Sequence, residues 1–131
     1  MKIIIFGLGS IGNRYAQILI NNYSVNLYAF RSNQKTPSNM YKIKELYSWD
    51  QVKDLKPDIA FVTVPTFLHT KIAVRCAELG IHLFIEKPLS STLTDIQKLK
   101  MVCNNNNITC YTAYCLRFHP VIQKIKELTE N

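Results

Sequence analysis

The sequence predicts an α/β fold, a doubly wound parallel sheet of about six strands with helices on both faces. Three observations predict it. Short apolar runs alternate with stretches of helical period along the whole chain. The first run, Ile3 to Phe6, is apolar throughout, as a strand buried on both faces must be. It leads directly into Gly7, Gly9 and Gly12, so strand, glycine turn and helix follow one another at the N-terminus.

Each element can be justified in order. Gly7-Leu8-Gly9-Ser10-Ile11-Gly12 has G-x-G-x-x-G spacing. In that pattern Gly7 allows a tight turn, Gly9 lets backbone N–H groups approach a pyrophosphate, and Gly12 lets the helix pack on the strand. From Ser10 the period becomes helical, with Ile11, Tyr15, Ile18 and Leu19 on one face. The N-terminus of this helix points unpaired donors and a positive dipole end at any anion held there. Three glycines alone also suit an ordinary turn; the flanking strand and helix favour a dinucleotide.

Asn21 to Ser24 break the helix, and Val25 to Phe30 read as a second strand ending at Arg31 and Ser32, with Lys35 close by. The adenosine ribose lies at this point of such a unit, where an acidic residue would accept the 2′-hydroxyl of NAD. Arginine donates to a phosphate and accepts nothing. The position therefore reads as a 2′-phosphate pocket, hence NADP. NAD is the alternative if Arg31 is a solvated loop residue.

Pro37 marks residues 36–39 as loop. Glu45 to Ser48 form a short third strand and Trp49 to Leu55 a short helix. Ile59 to Val64 make another buried strand, after which Thr66 is placed to cap a helix from Phe67 to Leu79. That helix has Ile72, Ala73, Cys76, Ala77 and Leu79 on its apolar face and Gly80 as its stop. Ile81 to Ile85 form the next strand, ending in Glu86-Lys87-Pro88. Thr92 with Asp95 opens a helix faced by Ile96, Leu99, Val102 and Cys103. Asn104 to Asn107 connect it to a sixth strand, Ile108 to Tyr114. After Leu116 to Pro120 an amphipathic helix with Val121, Ile122, Ile125 and Leu128 closes the chain.

The 131 residues suffice for one domain with a proper core, and no repeat or linker divides them. Hydrophobic residues make up 47% and charged residues 19%, an ordinary globular balance. No apolar run reaches membrane-spanning length, and the Ile3–Phe6 run is too short for a signal peptide, so the cytoplasm is the expected location. The net charge of +7 comes from scattered lysines and arginines rather than one basic helix. It fits a surface around an anionic cofactor better than nucleic-acid binding. Cys76, Cys103, Cys110 and Cys115 lack C-x-x-C spacing and read as core thiols, without a disulfide framework or zinc site. His69, His82 and His119 lie too far apart in pattern to suggest a metal.

Ligands of such sheets bind at the carboxyl ends of the strands. The residues there are the glycine turn, Arg31, Thr63 to Thr66, Glu86-Lys87-Pro88, and Tyr114 with Arg117. Lys87, fixed between Glu86 and Pro88, is placed to hydrogen-bond a substrate group or relay a proton. Composition alone does not separate that role from a surface Glu–Lys pair. His69, in the first turn of its helix, reads as a local hydrogen-bond partner.

Together, Gly7 to Gly12, Asp58 to His69, Ala77 to Leu89 with its E-K-P triplet, and Arg117-Phe118 with Pro120 resemble one family. It is the glucose–fructose oxidoreductase, inositol dehydrogenase and rhizopine catabolism (Gfo/Idh/MocA) family, and the resemblance spans essentially the whole chain. It implies a Rossmann domain that binds NAD or NADP and serves hydride transfer on sugars, sugar nucleotides or cyclitols. It further implies that Lys87 contacts the nicotinamide end and the substrate, with Glu86 and Pro88 shaping the site. Thr63, Pro65, Thr66 and His69 would flank the cofactor, and Tyr114 and Arg117 its nicotinamide side. Thr66 replaces the family's usual asparagine, and Arg31 its usual acidic residue. Family members carry a second, C-terminal α/β domain that holds the substrate and supplies catalytic Asp and His residues. On that analogy this chain is the cofactor domain alone, inactive by itself, with small-molecule substrate and homo-oligomer contacts belonging to the longer protein. A dinucleotide-sensing module on the same fold is the other reading.

Overall fold

The computed structural model describes residues 1–32 and 41–130, so Lys35 and the loop expected over 36–39 lie outside the described residues. The strands are β1 (Lys2–Phe6), β2 (Asn26–Phe30), β3 (Lys44–Leu46), β4 (Ile59–Val62), β5 (His82–Ile85) and β6 (Cys110–Thr112). The helices are α1 (Ser10–Asn22), α2 (Trp49–Leu55), α3 (His69–Glu78), α4 (Leu93–Asn105) and α5 (Pro120–Thr129). Short 3₁₀ turns occupy Thr66–Leu68 and Cys115–Phe118. The strands lie in the order β3-β2-β1-β4-β5-β6, and every neighbouring pair is parallel. The chain builds outward from β1 to β3 and then crosses to β4 on the other side of β1. This reversal leaves a crevice outside the carboxyl ends of β1 and β4.

The core has two halves because β1 is central. Ile4 and Phe6 face one side with Ala60, Val62, Leu83 and Ile85, under Ala73, Cys76 and Ala77 of α3 and Leu99 of α4. Ile3 and Ile5 face the other with Ala29, under Ala16 and Leu19 of α1. Burying each of these large β1 side chains contributes roughly 1.5–3 kcal/mol.

The structure corrects several sequence expectations. Of the face expected for α1, Leu19 is buried and Tyr15 half-buried, but Ile11 and Ile18 are exposed, and Gly12 and Ala16 are buried instead. The cause is Gly12, whose close approach to the β1 and β4 ends sets the rotation of the helix. Thr66 does not cap the helix that follows: it opens the 3₁₀ turn, and α3 starts only at His69. Leu79 is exposed, because the helix already closes there in a Schellman arrangement. Gly80 N–H donates to Ala77 O at 3.1 Å and Ile81 N–H to Cys76 O at 3.0 Å, with Gly80 at φ 77°. Thr92 occupies the N-cap position of α4, but its hydroxyl donates to Asp95 Oδ2 at 2.7 Å rather than accepting from the backbone. β3 stops at Leu46 because Tyr47 and Ser48 turn to serve α2, where Ser48 and Gln51 form a reciprocal capping box. Val64 and Tyr114 also fall outside the strands expected to contain them. Cys76 and Cys103 are core thiols, but Cys110 and Cys115 are exposed. The apolar face of α5 is exposed along its length at Val121, Ile122, Ile125 and Leu128.

Candidate functional site

At the crevice each glycine has a different reason to be glycine. Gly7 sits at φ 96°, the left-handed region, and a Cβ there would lie 3.0 Å from Val64 N. A Cβ on Gly12 would lie 1.9 Å from the carbonyl oxygen of Gly7, so α1 is seated directly on the turn. Around Gly9 a Cβ would meet nothing within 4 Å, which leaves open space over the backbone. Thr63 ties the two walls together: its N–H donates to Phe6 O at 2.9 Å and its hydroxyl to Gly7 O at 2.6 Å. Sequence reasoning missed Asn13, whose side-chain amide donates to Leu8 O at 2.9 Å and Gly9 O at 3.0 Å and fixes the turn from the helix side. Ser10 and Ile11 form the exposed first turn of α1, which has no acidic residue and no capping side chain. Its leading N–H groups lack helical partners. Open backbone over Gly9, beside an uncapped helix N-terminus, fits the diphosphate of a dinucleotide.

The crevice continues to the end of β2. Arg31 and Ser32 line, with Leu8, Gly9, Thr63 and Pro65, a cleft of about 430 Å³. A hollow of about 540 Å³ lies at the opposite end of the sheet, beside Asp58, Gly80 and His82. That is the amino end of β4 and β5, the wrong rim for a ligand of this architecture. Arg31 N–H donates to Leu46 O at 2.9 Å, which anchors its backbone to β3. Its guanidinium Nη1 lies 3.7 Å from Glu45 Oε1, and the two side chains are only 15% and 11% exposed. The hydroxyl of Tyr47 donates to the second oxygen of Glu45 at 2.7 Å, and that hydrogen bond pushes the Tyr47 phenol above its ordinary range.

The E-K-P turn follows β5 on the same rim. Glu86 accepts from Tyr15 Oη at 2.5 Å through Oε1 and from Lys87 N–H at 3.0 Å through Oε2. Tyr15 reaches it from α1 across the rings of Phe61 and Phe84, with centroids 5.5 Å away in each case. Burial first, and then the Glu86 carboxylate, push the Tyr15 phenol well above its ordinary range. The Lys87–Pro88 peptide is cis. Both of these residues are exposed, and among the described residues no hydrogen bond or ion pair engages Lys87 Nζ. His69 is 1% exposed, with Nε2 2.7 Å from Val64 O and Nδ1 2.9 Å from Pro88 O. It therefore clamps the E-K-P turn to the loop after β4. Thr66 lies beside this clamp, in the turn between Pro65 and His69.

The structure thus brings together Gly7 to Gly12, Arg31, Ser32, Thr63 and Pro65. Tyr15 and His69 join Glu86, Lys87 and Pro88 to that group. Tyr114 and Arg117 lie on the exposed turn after β6, where Arg117 lies over the Phe118 ring at 5.6 Å. No hydrogen bond or ion pair among the described residues links them to Lys87.

A parallel sheet of this strand order with a glycine turn at its reversal point defines a Rossmann-type dinucleotide-binding domain. The chain belongs to the Gfo/Idh/MocA family, whose model, described as an oxidoreductase family with an NAD-binding Rossmann fold, matches residues 1–114. It is 28% identical to the myo-inositol 2-dehydrogenase of Thermotoga maritima, across 100% of this chain and 41% of that protein. A crystal structure of a probable dehydrogenase from Thermotoga maritima superposes with a TM-score of 0.85 at 25% identity, over 100% of this chain and 41% of its own. The scyllo-inositol dehydrogenase of Lactobacillus casei, solved with NAD(H) and scyllo-inositol, gives 0.85 at 22% identity, over 99% and 41%. The chain therefore spans about two fifths of the length of these relatives. Among the described residues, no helix is long and apolar enough to cross a membrane.

Proposed function

We propose that this chain is the cofactor-binding part of an oxidoreductase that uses NADP, with NAD as the alternative, on a sugar, sugar nucleotide or cyclitol. The observation that carries the proposal is one shared rim. It holds open backbone over Gly9 at one point and the exposed Lys87 at another, next to Glu86, which Tyr15 braces. The bound nicotinamide supplies hydride transfer; the protein binds, orients and moves protons. Gly9 and the first turn of α1, with Ser10 and Ile11, receive the diphosphate. Arg31 and Ser32 take the 2′-phosphate. Thr63, Pro65, Thr66 and His69 flank the cofactor, with Tyr114 and Arg117 toward its nicotinamide side. Lys87 donates to a substrate oxygen at that end, with Glu86 and Pro88 holding it in place. The myo- and scyllo-inositol dehydrogenases among the relatives support the substrate class.

The substrate is held by a further domain of a longer protein. Exposed Leu116, Phe118, Val121 and Ile125 support this, since such an apolar strip is costly to leave in water. The test is Lys87→Ala in the protein that carries this chain with its substrate domain. Turnover should fall by about 10²-fold or more while nucleotide affinity is kept. Unchanged turnover would overturn the catalytic assignment and favour a dinucleotide sensor.

A further inference from the structure

We infer that Glu45 sets the cofactor preference of the site by acting as an internal counter-ion to Arg31. The inference rests on the reading of Arg31 as the 2′-phosphate contact. Arg31 lines the cleft, but Glu45 does not; it stands on β3, with its carboxylate 3.7 Å from the guanidinium. The pair is positioned by the backbone, since β2 and β3 run in register at Ala29 and Glu45 and Arg31 N–H bonds Leu46 O. Glu45 is also held on its other oxygen by the Tyr47 hydroxyl, so the carboxylate is fixed rather than free to swing away.

Two consequences follow for a phosphate arriving at Arg31. The guanidinium must share its charge between the phosphate and Glu45, and the phosphate must settle near a fixed negative charge in a largely buried setting. Neither penalty applies to a ribose 2′-hydroxyl, which is neutral. Glu45 therefore holds down the NADP preference that Arg31 alone would confer, and the chain binds both dinucleotides with modest discrimination. The diphosphate is common to both cofactors, so its interactions cancel in the ratio of their affinities.

The test is fluorescence titration of this chain and its Glu45→Gln and Arg31→Ala variants with NADPH and with NADH. Glutamine keeps an acceptor for Tyr47, and the NADH affinity reports whether each variant is folded. Glu45→Gln should shift the affinity ratio toward NADPH by about fivefold, and Arg31→Ala should shift it toward NADH. If Arg31→Ala lowers NADPH affinity but Glu45→Gln leaves the ratio unchanged, the counter-ion role is wrong and the phosphate pocket stands. If Arg31→Ala leaves the ratio unchanged, or the parent binds neither nucleotide, the phosphate-pocket reading fails and takes this inference with it.

Discussion

The two ends of the cleft are built from different materials. At the glycine turn, contacts are made by backbone or by short, half-buried side chains: Gly12 against Gly7 O, Thr63 to Phe6 and Gly7, Asn13 to Leu8 and Gly9. His69 and Tyr15 extend this bracing to Pro88 and Glu86. At the Arg31 end, the central contact is an ion pair between two long side chains, 3.7 Å apart. The first end faces chemistry common to all dinucleotides, and a backbone site serves it without needing to be retuned. The second end faces the atoms in which the two cofactors differ, and side-chain charge can be changed one residue at a time.

This contrast is breakable by mutation, and the largest effect is expected at Gly12. Gly12→Ala places a methyl 1.9 Å from a backbone oxygen that cannot swing aside, so α1 must lift from the sheet. We expect a loss of about 3 kcal/mol or more in urea unfolding. A wild-type midpoint would show that α1 is not seated by this contact. His69→Phe keeps a planar ring but removes both ring nitrogens, so the N–H that holds Val64 O or Pro88 O is lost and the half-buried clamp between the two loops is broken. A loss of about 1–3 kcal/mol is expected. A change under about 0.5 kcal/mol would mean that the two carbonyls find other donors.

Tyr15→Phe sharpens the comparison, because the ring contacts with Phe61 and Phe84 survive and only the hydroxyl leaves Glu86. Its cost at neutral pH should be about 1 kcal/mol. The pH dependence has a definite sign. The folded phenol is held protonated above its ordinary range, so the unfolded chain releases that proton first as pH rises. Its contribution is complete below the ordinary phenol value of about 10 and is lost above it. The wild type should therefore lose stability faster than Tyr15→Phe on raising pH past that point. Parallel alkaline profiles would rule out the half-buried Tyr15–Glu86 bond.

What was legible in the sequence follows the same division. The glycine spacing could be read because turn sterics are local. The parallel sheet could be read because apolar runs and helical periods alternate. The rotation of α1 could not, since it depends on Gly12 meeting the ends of β1 and β4. Ser48 and Gln51 carry a capping signature that competes, in the sequence, with a longer third strand. The Tyr15–Glu86 pair joins residues 71 apart in sequence, and no local pattern announces it. The same holds for Arg31 and Glu45, whose meeting depends on the β2–β3 register.

The most direct test of the cradle is a titration of NADH into the wild-type chain and into Gly9→Val, with thermal melting of both. Gly9 has a negative φ of −72° and extended backbone, and a Cβ added there meets nothing within 4 Å. The cradle predicts that Gly9→Val still melts cooperatively, with at most the modest drop expected of valine at a helix N-cap, and loses NADH binding because valine fills the space over the turn. Undiminished binding to a folded Gly9→Val would contradict it, and the diphosphate would have to lie elsewhere.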